Sequence, residues 1–341
     1  MKSKGPRKPI AVAGNGGWGT AVALVLAGKG LPVRMWGIES DYVRETAKSR
    51  ENPRYLPGIG LPENLLVTPD FAEATDGVGL IVSAIPTQFL RATWADLIPD
   101  DRSGGAPILS LSKGIEVKTL TRPTQILRQV TGRRKFAVLV GPSHAEEVAR
   151  GLPAAVVVAS TDEEFAREVQ GIISTDRFRA YTNNDVLGVE LASALKNVLA
   201  LAAGICDGLG LGDNAKSALL TRGVVEIARL GTALGANRQT FYGLAGIGDI
   251  ITTCVSPHGR NRAVGERIGR GEKVNDVLAS MTQVAEGVPT TKAAYQLSKK
   301  HDLEMPITEQ IYRILFNRKS PSRGLADLMG RAHRAEAEEY R

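Results

Sequence analysis

The feature that most constrains the fold of this chain is a glycine-rich turn near its N-terminus. Residues 14–19 read Gly-Asn-Gly-Gly-Trp-Gly, between an apolar run that predicts a strand and a segment that predicts a helix. In a G-x-G-x-x-G turn, Gly14 permits the tight bend, Gly16 lets the backbone approach a pyrophosphate, and Gly19 allows close helix–strand packing. The helix N-terminus adds free N–H groups and a positive dipole end. This context predicts a dinucleotide-binding βαβ unit.

The rest of the chain divides into two differently patterned halves. In the first half, short β-branched runs alternate with helical stretches, which is typical of a parallel sheet. Predicted strands are Pro9–Ala13, Val33–Trp36, Leu80–Ile85, Ile108–Leu111, Phe136–Val140, Ala154–Ser160 and Arg177–Thr182, with helices over Trp18–Lys29 and Asp41–Arg50. After Asp185 a period near 3.6 predicts only helices. They are Val186–Ile205, Ala215–Leu234, Gly246–Thr253, Arg260–Gly269, Thr290–His301 and Pro306–Phe316.

These patterns predict an α/β protein of two domains, as its 341 residues also suggest. An N-terminal Rossmann-type doubly wound sheet is expected over residues 1–184, followed by an all-α C-terminal domain over residues 185–341.

Composition narrows the class of protein. The net charge of +7 admits nucleic acid, anionic lipid or a phosphorylated small molecule as partner. Nucleic acid is disfavoured, because only 5% of residues are aromatic and the basic residues are scattered among acids. The two cysteines, Cys206 and Cys254, are too few for a disulfide framework or a zinc site. We therefore expect no metal ion and a cytoplasmic location.

Membrane insertion is not expected either. The longest purely aliphatic stretch, Val198–Ile205, is far shorter than the about 20 residues of a membrane-crossing helix. The basic N-terminus (Lys2, Lys4, Arg7) is not followed by an apolar signal core.

Which dinucleotide binds is left open by the residues after the second strand. An acidic side chain about 20 residues beyond the glycine turn favours NAD, whereas an arginine accommodates the 2′-phosphate of NADP. Glu39 lies about 20 residues beyond the glycine turn and is the candidate acidic residue. Arg34 is the candidate arginine for the 2′-phosphate. Both residues are equally compatible with ordinary solvated charges, so the expected cofactor is NAD or NADP.

Small and polar residues lie at the carboxyl ends of three of the predicted strands. Ligands in open α/β sheets bind beyond the carboxyl ends of the strands. Residues 83–87, 112–114 and 141–145 occupy such positions and are expected to line one crevice. Lys113 stands there among apolar and small residues, which favours a ligand contact over a surface position.

The helical half adds three polar signals. Lys196 and Asn197 lie among small residues on one side of the first predicted helix, which indicates a helix laid along a polar pocket. Asp249 lies among glycines and aliphatics, where a carboxylate needs a partner, and a lysine is the natural one. Residues 258–262 combine arginine, an amide and a helix N-terminus, a combination suited to phosphate.

The ordered motifs carry a family resemblance. They are Gly14-x-Gly16-x-Trp18-Gly19-Thr20-Ala21, Ser112-Lys113-Gly114, Gly141-Pro142-Ser143-x-Ala145-x-Glu147, Lys196-Asn197-Val198, Gly246-x-Gly248-Asp249, Arg260-Asn261-Arg262, Val284-Ala285-Glu286-Gly287 and Glu304-Met305-Pro306-Ile307-Thr308. Together they resemble the bacterial type of NAD(P)-dependent glycerol-3-phosphate dehydrogenase over residues 9–331.

The resemblance implies an oxidoreductase that reversibly reduces dihydroxyacetone phosphate to sn-glycerol 3-phosphate with NAD(P)H, feeds glycerophospholipid synthesis and forms a homodimer. The implied catalytic residues are Lys196, which exchanges the proton, Lys113 and Asp249. The implied cofactor-binding residues are Gly14, Gly16, Gly17, Trp18, Gly19, Lys113, Ala145, Arg260, Val284 and Glu286. The implied substrate-binding residues are Lys113, Gly141, Ser143, Lys196, Asn197, Asp249, Thr253, Gly259, Arg260 and Asn261. Ile38 and Gly259 depart from residues that other members carry near the ribose and the phosphate.

Two alternatives stand beside this interpretation. One is another dehydrogenase of the same two-domain plan, acting on a 3-hydroxyacyl thioester, a phosphogluconate-type acid or ketopantoate. The other is a non-catalytic regulator that binds a dinucleotide. Against the other dehydrogenases, the phosphate-binding pair Arg260 and Asn261 and the second lysine, Lys113, favour the small phosphorylated ketone. A regulator would explain the glycine turn but gives no reason for Lys113, Lys196, Asp249 and Arg260 to occur together.

Overall fold

A computed structural model of the chain describes residues 8–281, 284–333 and 335–336. The basic N-terminal residues 1–7 lie outside this range. The chain divides into two compact units. One comprises residues up to Ser112 together with Pro123–Val186, and the other comprises Lys113–Arg122 together with the residues from Leu187 onward. The expected single boundary near residue 184 differs from this division, because the chain enters the helical unit early, between Lys113 and Arg122, and returns.

The first unit is built on a mainly parallel sheet. Its strands are β1 (Ile10–Ala13), β2 (Val33–Trp36), β5 (Leu65–Thr68), β6 (Leu80–Ser83), β7 (Ile108–Ser110), β8 (Phe136–Val140), β9 (Ala154–Ala159) and β10 (Phe178–Asn183). They lie in the order β10-β9-β8-β7-β6-β1-β2-β5, and β3 (Glu51–Asn52) and β4 (Leu56–Gly60) form a separate antiparallel pair. The helices are α1 (Gly17–Gly28), α2 (Ser40–Ser49), α3 (Phe71–Thr75), α4 (Thr87–Leu97), α5 (Pro123–Thr131), α6 (Ala145–Ala149) and α7 (Glu163–Ile173).

The sheet is buried on both faces, as a parallel sheet covered by crossover helices requires. Successive residues of a strand point to opposite faces. Val12 accordingly belongs to one buried cluster, and its neighbour Ala11 to another. The predicted parallel pairing is confirmed except at one position, where β9 runs antiparallel to β8. The strand β5 and the β3–β4 pair were not expected either.

The second unit is helical, as expected. Its helices are α8 (Val186–Gly208), α9 (Gly212–Ala233), α10 (Asp249–Val255), α11 (Arg260–Gly269), α12 (Val274–Ala279), α13 (Gly287–Lys300), α14 (Pro306–Phe316) and α15 (Pro321–Met329). A 3₁₀ segment, Arg238–Tyr242, and a π-helical turn, Leu244–Gly248, precede α10. Glu226 on α9 accepts the N–H groups of Ile307 and Thr308, each at 2.8 Å, and so caps the start of α14.

Helix α8 is the centre of this unit and is buried on almost every side. It is long and apolar enough to cross a membrane by length and composition alone, although 89% of its most apolar window is buried inside the protein. The uninterrupted aliphatic stretch Val198–Ile205, on which the expectation of no membrane insertion rested, covers only part of this helix. Most of its polar side chains, among them Glu190 and Lys196, are buried. Arg122 forms an ion pair with Glu190.

Glycines let α8 and α11 approach closely. A Cβ added at Gly204 on α8 would lie 2.0 Å from the carbonyl oxygen of Arg262. A Cβ added at Gly265 on α11 would lie 2.1 Å from the carbonyl oxygen of Leu201. Real side chains do not tolerate such distances, so only glycine permits this backbone-to-backbone packing. The packing sets the N-terminus of α11 beside the middle of α8.

Candidate active site

A buried carboxylate joins two lysines in the helical unit. Asp249, only 2% exposed, accepts Lys196 Nζ on Oδ1 at 2.5 Å and Lys113 Nζ on Oδ2 at 3.1 Å. Lys196 also donates to Thr253 Oγ1 at 2.7 Å. An ammonium carries three donors, and among the described residues Lys196 bonds only these two groups, which leaves one N–H for a ligand. The expected pairing of Asp249 with a lysine is confirmed, with two lysines rather than one.

The cluster lowers the pKa of Lys196. Burial is the main cause, because removal from water disfavours the charged ammonium, and the positive charge of Lys113 acts in the same direction. Asp249 opposes both, and the pKa falls from an ordinary 10.5 to about 8. Burial also acts to raise the pKa of Asp249, but the two ammonium groups outweigh it and hold this carboxyl ionised, with its pKa below the ordinary value.

The chain reaches Asp249 through an irregular helical segment. Gly246 in the π-helical turn packs directly on the 3₁₀ segment, since a Cβ there would lie 1.9 Å from the carbonyl oxygen of Phe241. Asp249 follows as the first residue of α10, and Thr253 lies one turn later. Both side chains therefore face Lys196. π-Helical turns of this kind occur frequently at functional sites.

The N-terminus of α11 forms a second polar group of the helical unit. Gly259 is its N-cap residue and provides no side-chain cap, so the first N–H groups of the helix lack intrahelical acceptors. The exposed Arg260 guanidinium donates to the carbonyl oxygen of Val284 at 3.3 Å. A positive helix end beside a guanidinium suits an anion.

Asn197 and Asn261 are bonded to each other. Asn261 Nδ2 donates to Asn197 Oδ1 at 3.0 Å, and Asn261 Oδ1 accepts the N–H of Gly287 at 3.0 Å. Both side chains are buried. The two asparagines therefore link α8, α11 and the start of α13, and the residue after Lys196 is tied to the residue after Arg260.

In the first unit, the glycine turn has the geometry that a dinucleotide requires. Gly14 has φ +120°, and a Cβ added to it would lie 2.9 Å from the carbonyl oxygen of Ala84. A Cβ on Gly19 would lie 2.1 Å from the carbonyl oxygen of Gly14, whereas Gly16 faces open space. Helix α1 begins at Gly17 without a side-chain cap or an acidic residue in its first turn. Its N–H groups thus fit a pyrophosphate.

The other predicted residues of this unit lie around the turn or along β8. Ala145 begins α6, and its Cβ would be 3.7 Å from a Cβ added at Gly17. Trp18 packs against Phe178 with ring centroids 6.4 Å apart. Gly141, with φ +144°, directly follows β8, and its carbonyl oxygen accepts the hydroxyl of Ser143 at 2.9 Å.

Comparison with known proteins identifies the family. The model of the NAD-dependent glycerol-3-phosphate dehydrogenase N-terminus matches residues 9–166, and the model of its C-terminus matches residues 185–326. The chain belongs to this family. Glycerol-3-phosphate dehydrogenase (NAD(P)+) of Geobacillus kaustophilus is 48% identical over 333 residues, covering 97% of this chain and 96% of the relative. A relative with the same description from Salinibacter ruber is 48% identical over 330 residues, 96% of each chain.

Solved structures of the family share the fold. A glycerol-3-phosphate dehydrogenase from Coxiella burnetii superposes with a TM-score of 0.91 at 38% identity, over 95% of this chain and 99% of that one. A ketopantoate reductase from Ralstonia eutropha, at 15% identity and a TM-score of 0.60, shares the fold alone. Family membership confirms the resemblance, the Rossmann-type sheet followed by a helical domain, and an oxidoreductase that uses NAD or NADP.

Several polar contacts within the two units were not predicted from the sequence. Arg34, considered for a 2′-phosphate, instead donates to the carbonyl oxygens of Glu73 at 2.9 Å and Asp76 at 2.8 Å. The bond between Asn197 and Asn261 was also missed, because residues 64 positions apart carry no local sign of contact. Asn15 was passed over as the variable position of the glycine motif, although its side chain is buried.

Proposed function

We propose that the protein reversibly reduces dihydroxyacetone phosphate to sn-glycerol 3-phosphate, with Lys196 exchanging the proton. The observation that carries this proposal is the cluster of Lys196, Asp249, Thr253 and Lys113, in which an ammonium with one free N–H has a pKa of about 8. Such a group is able both to donate and to accept a proton near neutral pH.

Bound NADH or NADPH supplies the hydride to the ketone carbon. As negative charge develops on the ketone oxygen, the Lys196 ammonium stabilises that charge and delivers a proton, which completes the secondary alcohol. In the reverse direction neutral Lys196 accepts the proton. Asp249 holds the Lys196 side chain in position, and Lys113 adds a second positive charge beside the developing oxyanion.

The phosphate of the substrate is assigned to Arg260 and the N–H groups that begin α11. Binding energy from this non-reacting group orients the ketone relative to the coenzyme. Asn261 contributes its backbone N–H, because its side chain is engaged with Asn197 and Gly287. Gly141 and Ser143 are further assigned to the substrate. Gly14, Gly16, Gly17, Trp18, Gly19, Ala145, Val284 and Glu286 are assigned to the coenzyme, as are Lys113 and Arg260.

We further propose a cytoplasmic homodimer without membrane insertion that supplies glycerol 3-phosphate to phospholipid synthesis. Burial of α8 within the helical core supports the absence of membrane insertion. Light scattering that gives the mass of a monomer at working concentration would contradict the dimer.

The direct test is the loss of reduced-nicotinamide absorbance with dihydroxyacetone phosphate, run with NADH and NADPH in parallel. Rapid oxidation of either coenzyme is expected. Folded protein that binds the coenzyme but oxidises neither one would refute the proposal. Activity on ketopantoate or a 3-oxoacyl thioester would then favour the other dehydrogenases of this fold.

A further inference from the structure

The end of β2 lies directly beside the glycine turn. Ala13, the last residue of β1, pairs in register with Trp36, the last residue of β2, so the segments that follow the two strands adjoin. A Cβ added at Gly37 would come within 2.5 Å of Asn15 Oδ1, which shows how close they are. In this fold the adenosine ribose of a dinucleotide binds at this edge.

The side-chain amide of Asn15 has a donor available for a ligand at this edge. The residue is 9% exposed, and within the described part of the chain its Nδ2 atom is buried without a hydrogen-bond partner. Its backbone carbonyl is fixed by Asn52 Nδ2 at 2.7 Å. Buried polar groups in proteins are nearly always bonded. A buried and unsatisfied donor beside the glycine turn therefore indicates a group that arrives with the coenzyme.

Glu39 is held in place two residues beyond Gly37. Its carboxylate accepts Arg54 at 2.6 Å, and the Arg54 guanidinium lies 4.0 Å from the centre of the Tyr42 ring. The hydroxyl of Tyr42 in turn accepts the backbone N–H of Arg54 at 3.0 Å. An ionised carboxylate offers about four lone-pair sites. Glu39 therefore retains acceptor capacity for the two hydroxyls of a ribose.

Two arginines near this edge, Arg34 and Arg54, already have acceptors within the protein. Arg34 donates to the carbonyl oxygens of Glu73 and Asp76, and Arg54 is paired with Glu39. Ile38, 69% exposed, presents an apolar side chain. A 2′-phosphate placed here would meet the carboxylate of Glu39 and would have to displace it from Arg54.

From these contacts we propose that the protein selects NAD(H) over NADP(H), with Glu39 as the residue that discriminates between them. Arg54 and Tyr42 position Glu39, and Asn15 donates to a part of the nucleotide that both coenzymes share. The proposal rests on the dinucleotide site of the proposed function. It does not depend on the identity of the ketone.

The test is a binding titration of the full chain with NADH and NADPH, followed by nucleotide fluorescence. The dissociation constant for NADH is expected to be at least about tenfold lower than that for NADPH, a difference of about 1.4 kcal/mol. Glu39→Gln should reduce that ratio severalfold. Asp41→Asn, which removes an equal charge from a fully exposed neighbour, should leave it unchanged. Asn15→Ala should weaken both coenzymes by similar factors.

Other outcomes would overturn the proposal in distinguishable ways. If the unaltered protein bound NADPH as tightly as NADH or more tightly, the proposal would be refuted. If NADPH binding were then lost in Arg54→Gln, the 2′-phosphate would be assigned to Arg54. An unchanged ratio in Glu39→Gln would remove Glu39 from selection. Selective NADH binding without turnover of dihydroxyacetone phosphate would contradict the proposed reaction and leave coenzyme selection standing. Failure to bind either coenzyme would refute both.

Discussion

Replacement of Lys113 by methionine is expected to move the pH dependence of glycerol 3-phosphate oxidation to higher pH. In this direction Lys196 must be neutral to accept the proton, so turnover should rise with pH through the pKa of Lys196 and then level off. Burial, together with the charge of Lys113, brings this pKa from 10.5 to about 8 against the opposing effect of Asp249. Without the cation at position 113, the pKa of Lys196 should rise by about one unit.

For Lys113→Met, a rise of about one unit in the pKa of Lys196 should reduce its neutral fraction at pH 7 about tenfold. The full lowering of this pKa, to which burial contributes most, has a larger effect on the neutral fraction. At pH 7, an amine with a pKa of 8 is neutral in roughly one molecule in ten, whereas one with a pKa of 10.5 is neutral in about one in 3,000. The lowered pKa therefore increases the population of the base by about 300-fold. In the reduction direction the sign is reversed, because the ammonium must be present, and turnover should fall above pH 8.

The assay is kcat for oxidation, measured from about pH 6 to 10 with saturating coenzyme. The unaltered protein should give an apparent pKa near 8, and Lys113→Met a higher one, whatever its remaining activity. Lys113→Arg retains the cation and should keep the inflection in place. Coenzyme binding, titrated over the same range, shows whether an inflection belongs to chemistry or to binding. A profile of Lys113→Met that coincides with that of the unaltered protein would refute the electrostatic coupling.

Arg260→Ala should raise KM for dihydroxyacetone phosphate and lower kcat, with a much smaller effect on dihydroxyacetone, which lacks the phosphate; equal losses on both ketones would show that Arg260 does not bind the phosphate. Gly265→Ala should destabilise the protein by about 1–3 kcal/mol, because its Cβ would meet the α8 backbone at 2.1 Å. Gly171→Ala, with open space on α7, should leave the urea midpoint unchanged or raise it. Glu226→Ala should lower the free energy of unfolding in urea by about 3 kcal/mol, because two buried N–H groups lose their acceptor. Glu226→Gln should lower it by less.

Features with a local physical cause could be predicted from the sequence. The glycine turn is one, because the bend at Gly14 and the close packing at Gly19 involve residues only a few positions apart. The pairing of Asp249 is another, because a carboxylate among glycines and aliphatics is costly unless a cation accompanies it. Most helices of the second unit were also predicted from periodicity, although α12 and α15 were not.

Features decided by distant parts of the chain could not be predicted. The direction of β9 depends on its pairing with β8, and nothing within Ala154–Ala159 records that direction. Arg34 was a candidate for the 2′-phosphate because of its position on the second strand, but carbonyl groups some 40 positions later bind its guanidinium. The Asn197–Asn261 bond likewise depends on the close packing of α8 and α11.

Because Lys113–Arg122 belongs to the helical unit, this unit is not contained in any single C-terminal fragment that begins near residue 187. A fragment cut at the apparent boundary, beginning at residue 187, would lack both Lys113 and Arg122. Glu190, 1% exposed, would lose its ion-pair partner inside the core, and Asp249 would lose one of its two lysines. Removing the cationic partner of a buried carboxylate costs several kcal/mol. The helical half is therefore not an autonomous module. If coenzyme domains were exchanged between relatives, residues 113–122 would have to stay with the helices that carry Glu190 and Asp249.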